Sequence, residues 1–385
     1  MERGSEALRR LLSAAVVRER AHEMLEIALE GGLEGWHVDL ERLADAADLT
    51  AEVTRQAYPN LDIPFHARWR HFVAGEPALP ADRLERARAA FDLVILSVLL
   101  DAGAGPDWRY RDGEATFTRS EGLAVASQRM VEAGALRDLA GLETASLARG
   151  FQVSDDNPLS GLEGRAGLLR RLGAQAAARP DLFRGGRVGG LYDSLAARAE
   201  GGSLPAPAIL ELLLEALGPI WADRLAIDGI PLGDCWRHPA IRRDGPTDGL
   251  VPLHKLSQWL AYSLIEPLQE SGIEVVDIDG LTGLAEYRNG GLFVDTGVLI
   301  LADPGDVERS HNVSDPLIVA WRSMTVALLD RLAPMVRDRL GVSEADFPLA
   351  RMLEGGTWAA GRRIAAERRA GGGPPFTIIS DGTVF

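Results

Sequence analysis

Two short stretches of the chain hold ionisable and aromatic residues at spacings that could do chemistry. Residues 252–264 read Pro-Leu-His-Lys-Leu-Ser-Gln-Trp-Leu-Ala-Tyr-Ser-Leu, the start of an apolar helix that carries His254, Lys255 and Gln258. Gln258 follows His254 by four residues, so a helix puts both on one face with Lys255 one position round. Residues 277–288, Asp-Ile-Asp-Gly-Leu-Thr-Gly-Leu-Ala-Glu-Tyr-Arg, then bring Asp279, Glu286, Tyr287 and Arg288. Carboxylates, a phenol and a guanidinium are costly to bury among apolar neighbours unless they pair or bind something. A buried carboxylate beside a lysine is the arrangement that tunes a general base or an acid that stabilises a cation. The plainer alternative is a structural ion pair between Lys255 and one of these acids.

A third stretch points to binding. Residues 63–72 read Ile-Pro-Phe-His-Ala-Arg-Trp-Arg-His-Phe, four cationic or cation-capable residues and three aromatics in ten positions. The chain as a whole carries 41 Lys and Arg against 56 Asp and Glu, a net charge of -15, so this is a local positive island. His66, Arg68, Trp69 and Arg70 suit gripping a phosphate while a flat group packs on a ring. A surface segment paired with nearby carboxylates is the competing reading. The overall acidity repels phosphate backbones, so neither nucleic acid nor a membrane surface is an expected partner. The run Cys235-Trp236-Arg237-His238 has one thiol and one imidazole but no further cysteine, so no metal is expected; Trp236 and Arg237 stay as binding candidates. The glycine run 185–190 lacks both dinucleotide spacing and a phosphate-loop Lys-Ser/Thr and reads as a turn, and no cofactor is expected.

These residues need elements to hold them. With 385 residues, 46% hydrophobic and 25% charged, the chain has ordinary globular composition. It is long enough for one large α-helical catalytic domain, or for two helical subdomains of about 1–150 and 151–385 with the site between them. Apolar residues recur three and four apart near 4–30, 39–57, 80–101, 120–134, 162–179, 205–225, 251–270, 313–340 and 357–370, so the expected fold is mainly α, a helical bundle. Small β-ribbons are expected at 108–118, around Asp112-Gly113, and at 292–301, and the apolar tail 371–385 reads as an extended strand docked on the body. The most apolar stretch, 91–100, is too short to span a membrane and contains Asp92. The start of the chain does not look like a signal peptide, and a cytoplasmic protein is expected.

The two chemical stretches, taken with 63–72, 91–105, 119–127 and the 380–385 end, resemble the uracil catabolism protein 4 family of fungi and bacteria. The resemblance covers nearly the whole chain and adds Glu121 to the binding candidates. It implies a role in the pyrimidine breakdown route that makes uridine monophosphate, opens its ring and passes through ribosylurea-type intermediates. A more distant resemblance is to the queuosine-nucleotide salvage glycosidases, which carry Tyr-Lys-x-Ala-Gln at a helix start and then Asp-Ile-x-x-x-Thr-x-x-Ala-Asp-Tyr-Arg. The matching residues here are 254–258 and 277–288; Glu163 and Arg165 offer a further parallel. That family's fold resembles DNA glycosylases, and its Asp and Lys belong to an N-glycosidase site on a nucleoside monophosphate. Carried over, the carboxylate falls on Glu286, with Asp279 as second candidate, and the cation on Lys255. His254 stands where the family has Tyr. The resemblance implies an N-glycosidase that releases urea and ribose 5-phosphate from an N-ribosylurea 5-phosphate. Tyr287 or His254 would serve as acid, and Lys255, Arg288, Arg68 and Arg70 would hold the phosphate. An amidohydrolase or deaminase on the opened ring, or a binding protein without catalysis, are the alternatives.

Overall fold

Ala, Leu, Arg and Glu, which fill the periodic stretches, are strong helix formers, and the chain is mainly α. The computed structural model describes residues 2–72, 77–101, 104–105, 107–222 and 224–379. The helix Pro316–Leu340 runs through the centre with its middle buried, and packs on Ala14–Leu29, Leu43–Ala57 and Tyr287–Asp295. On the other side, Lys255–Glu270 packs on Ala206–Leu217 and Arg83–Leu99, and the latter leans on Arg119–Glu132. Arg83–Leu99 shows how such a helix is set: Asp82 accepts the Leu84 and Glu85 N–H groups at 3.1 and 2.9 Å, and the 91–100 run is buried in protein. Among the described residues no helix is long and apolar enough to cross a membrane.

The strands form small two-stranded ribbons. Arg109–Asp112 and Ala115–Thr118 make the expected hairpin. Thr377–Ile379 lies parallel to Ser310–Asn312, so this part of the tail is extended; 380–385 lie outside the described residues, as do 73–76. The 292–301 run departs from expectation. Leu292 to Asp295 close the helix Tyr287–Asp295, and only Leu299–Leu301 is a strand, antiparallel to Trp36–Val38. Packing overrides β propensity there: Gly290 lies against the Trp321 ring, where a Cβ would come within 2.6 Å. The expected first helix is broken into Glu2–Arg10 and Ala14–Leu29, with Ser13 capping the second. The last expected helix begins earlier, at Leu349, and passes through a π turn at Leu353–Thr357.

Candidate functional site

The chain enters the helix Lys255–Glu270 from a ribbon in which Cys235–Arg237 pairs with Leu250–Pro252. Asp234, at the root of that ribbon, organises the entry. Its carbonyl accepts the Leu253 and His254 N–H groups, and its carboxylate accepts the Lys255 N–H at 3.0 Å and the Trp236 indole N–H at 2.6 Å. Arg322, 1% exposed on the central helix, grips both carboxylate oxygens at 2.8 Å and also donates to the Ala285 carbonyl at 3.1 Å. Burial pushes the Asp234 carboxyl up, but Arg322 and the other donors outweigh it and hold it below the usual range. One guanidinium thereby fixes the lysine against the segment that ends in Glu286. His254, just before Lys255 in the chain, sits at φ 49°, a setting that residues other than Gly, Asn and Asp seldom adopt.

A second brace sets the height of that segment. Gln258 donates to the Thr282 hydroxyl at 2.7 Å and accepts the Thr282 N–H at 3.3 Å, while the Tyr262 hydroxyl donates to the Thr282 carbonyl at 3.0 Å. The chain then reaches Glu286, 7% exposed, whose two oxygens accept the Arg288 and Asn289 N–H groups at 2.8 and 2.5 Å and cap the helix Tyr287–Asp295. Burial raises the Glu286 carboxyl, opposed by these N–H groups and by the charges of Lys255 and His66. Burial likewise lowers the Lys255 ammonium, opposed by the fields of Glu286, Asp101 and Asp234. The Lys255 side chain makes no hydrogen bond or ion pair among the described residues. Lys255 and Glu286 thus attract each other without touching.

Trp259, one turn after Lys255 on the same face, joins this centre to the basic island. Its ring lies 5.2 Å from the Arg68 guanidinium, 6.2 Å from His66 and 6.3 Å from His71, and its buried indole N–H has no partner among the described residues. His66 is bonded through Nδ1 to Glu354 at 2.7 Å; Glu354 stands in the π turn, a feature often found at functional sites. Burial pushes the Glu354 carboxyl up, and His66 more than reverses it. Asp101 receives Arg68 at 3.0 Å and the Ser120 hydroxyl at 2.7 Å. Burial and the Arg68 charge push His71 down to about 4.

The structure thus brings Glu286 within the fields of Lys255 and His66 and places several other candidates in bracing roles. Arg68 is 0% exposed and donates to Asp101, to Ser97 and Ser120 carbonyls and to the Ser120 hydroxyl, so it has no exposed edge for a phosphate. Arg288 donates to the Gly372 carbonyl at 2.7 Å and lies 4.8 Å over the half-buried Tyr287 ring. Gln258 is the brace already described. Arg70 is half exposed and paired with Glu266, and Trp69 stands edge-on to Phe72 at 5.9 Å. Asp279 belongs to a separate network: it pairs with Arg337 at 2.7 Å and accepts the Leu349 N–H at 2.6 Å, while its carbonyl accepts Arg18. His254, 1% exposed, is bonded through Nε2 to the Leu11 carbonyl at 2.8 Å, and burial holds it neutral. Trp236 is tied to Asp234, Arg237 is exposed and donates to the Asp248 carbonyl, and Glu121 is exposed. Glu163 is exposed and pairs with Arg170, whereas Arg165 is buried and donates to the Leu100 carbonyl. Sequence reasoning missed Asp101, Asp234, Arg322 and Glu354. Two of them had a signal: Asp101 closes the apolar run 91–100, and Asp234 adjoins the Cys-Trp-Arg-His run. Among the described residues no three of His, Cys, Asp and Glu stand close enough to hold a metal ion.

A family model described as "Protein of unknown function (DUF1688)" matches residues 10–385. Protein urg3 of Schizosaccharomyces pombe is 39% identical over 413 residues, covering 99% of this chain and all of that protein. Uracil catabolism protein 4 of Lachancea kluyveri is 36% identical over 434 residues, covering 97% of this chain and 98% of its own length.

Proposed function

This chain belongs to that family, and from that premise and the geometry of the Lys255–Glu286 centre we propose that it acts in uracil catabolism as an N-glycosidase. The substrate is an N-ribosylurea 5-phosphate, and the products are urea and ribose 5-phosphate. The observation that carries this reading is a buried carboxylate and a lysine that feel each other's charge yet form no bond. A structural ion pair, the plainer account of the same residues, would have closed.

Breaking a C1′–N bond builds positive charge on the sugar, and a carboxylate beside C1′ stabilises that charge and directs water. Glu286 suits the task because two backbone N–H groups fix both its oxygens, so it needs no reorganisation as charge develops. Its raised pKa also suits it to exchange a proton with the leaving nitrogen. Trp259 offers an aromatic wall with an unpartnered N–H, and the His66–Glu354 pair a second polar edge. Arg68 and Arg288 serve as braces in this reading.

The test is incubation of the purified protein with N-ribosylurea 5-phosphate, with products read by mass spectrometry. Ribose 5-phosphate together with urea is the expected result. Ammonia from a ring-opened uridine monophosphate, with no free ribose 5-phosphate, would replace the glycosidase with an amidohydrolase. Neither product would leave a binding role.

A further inference from the structure

Of the 41 basic residues in the chain, one is a lysine, and it is Lys255. Every other permanently cationic side chain is arginine, including those that pair with Asp101, Asp234 and Asp279. A site that needed only positive charge or phosphate contact at 255 could use arginine, which binds such groups in more fixed geometry. What arginine cannot do is give up its proton and attack as a neutral amine. The surroundings of Lys255 fit that use: it is half-buried, its side chain is unbonded among the described residues, and the carboxylates Glu286 and Asp101 lie within its field. The same burial that lowers the ammonium raises Glu286, which narrows the difference between their proton affinities.

We infer that Lys255 is a catalytic nucleophile that forms a covalent imine with C1 of an aldose phosphate. This inference rests on the glycosidase reading for the identity of the sugar. Glu286 takes a proton from the Lys255 ammonium, and neutral Nζ attacks C1′. The C1′–N bond to urea breaks, its electron pair staying on that nitrogen, which takes the proton from Glu286. The C1′–ring-oxygen bond then opens with transfer of one proton from Nζ to the ring oxygen, leaving a protonated imine whose charge Asp101 opposes. Water adds to C1 as Glu286 accepts its proton. The carbinolamine then collapses to the free aldehyde and the amine, so the balance is substrate plus water giving ribose 5-phosphate plus urea.

The experiment incubates the wild-type protein with ribose 5-phosphate and cyanoborohydride, then maps peptides by mass spectrometry. An adduct of one pentose phosphate less one oxygen atom on the peptide containing Lys255 is expected, with the N-terminal amine as the internal reference for nonspecific reaction. Lys255→Arg, checked for an unchanged melting temperature, should show no adduct there and lose turnover of N-ribosylurea 5-phosphate by roughly 10²-fold or more, although the charge is kept. If that variant fails to fold, trapping on the wild type decides alone. Turnover by the wild type without any adduct above the N-terminal reference would overturn the covalent step and leave the glycosidase reading in place. An adduct at Lys255 without turnover of the ribosylurea would uphold the imine and overturn that substrate. Neither signal would overturn both.

Discussion

Glu286 and Asp279 are acids of the same segment with different surroundings, and two substitutions separate their roles. Glu286→Gln keeps the size of the side chain and removes the charge, so turnover should fall by ~10²–10⁴ while binding changes little. One oxygen becomes an NH₂ facing the capped helix start, so a stability loss of ~1 kcal/mol should accompany it. Asp279→Asn loosens the Arg337 pair and the Leu349 contact, so it should lower stability while turnover per folded molecule persists. Equal turnover losses in the two variants would put the reacting carboxylate elsewhere. At Arg68 the structure replaces an expected phosphate grip with a buried brace. Arg68→Ala leaves Asp101 without its guanidinium, so a loss of ~3–5 kcal/mol in urea unfolding is expected, typical of a broken buried pair. Any fall in activity should be the same for phosphorylated and dephosphorylated substrate; a loss confined to the phosphorylated one would restore the grip.

At the scale of elements, what positions the site is a pair of cross-chain ties, Asp234–Arg322 and Gln258–Thr282, and the second is open to a double-mutant cycle. Gln258→Leu leaves the buried Thr282 hydroxyl and N–H short of a partner and should cost ~1–3 kcal/mol, whereas Gln258→Leu with Thr282→Val should cost less than the two single changes added. Simple additivity would show that the bond does not hold the segment. The long helices were legible because their apolar residues repeat at helical spacing, and so was the Asp112-Gly113 hairpin. Lys255 could be singled out because it stands at a recognisable apolar helix start, and Glu286 because the 277–288 stretch resembles the queuosine-nucleotide salvage glycosidases. The ties could not be read: Arg322 lies 88 residues from Asp234, and periodicity along a chain carries no information about which distant charges meet. Gln258 was expected to share a helix face with His254, but His254 stands just before the helix at φ 49° and bonds the Leu11 carbonyl, while Gln258 braces Thr282. The helix Tyr287–Asp295 was hidden because Glu286 is an unusual N-cap and its glycines argue against a helix. Gly290 answers to packing, as does Gly361 of Trp358–Arg368, where a Cβ would run into the Arg288 carbonyl.

For the molecule as a whole, acid should weaken the fold well above the range in which carboxylates ordinarily titrate. Burial pushes both His71 and His238 down to about 4, from 6.5 in an unstrained setting. Between these limits the unfolded chain takes up protons that the native protein refuses, so their contribution is constant above 6.5 and is lost as pH falls from 6.5 to 4. By pH 5 the loss is ~2 kcal/mol for each histidine, a large share of an ordinary domain's stability. His238 has a visible reason to stay neutral, since its Nδ1 accepts the Ala240 N–H at 3.1 Å. Glu286 acts in the opposite sense: its raised carboxyl takes up a proton before the unfolded chain does, which favours the fold as pH falls toward the ordinary carboxylate range. Asp234, held low, gives stability that persists until pH falls below its ordinary range. Acidification toward the isoelectric point near 5.0 also relieves the repulsion of a net charge of -15, but at 0.15 M salt such fields reach only ~8 Å. The urea midpoint should therefore fall between pH 7 and pH 5 at physiological salt, and His71→Gln should remove about half of the histidine part of that fall. A slope that His71→Gln and a matching His238→Gln both leave intact would assign the acid sensitivity to the carboxylates.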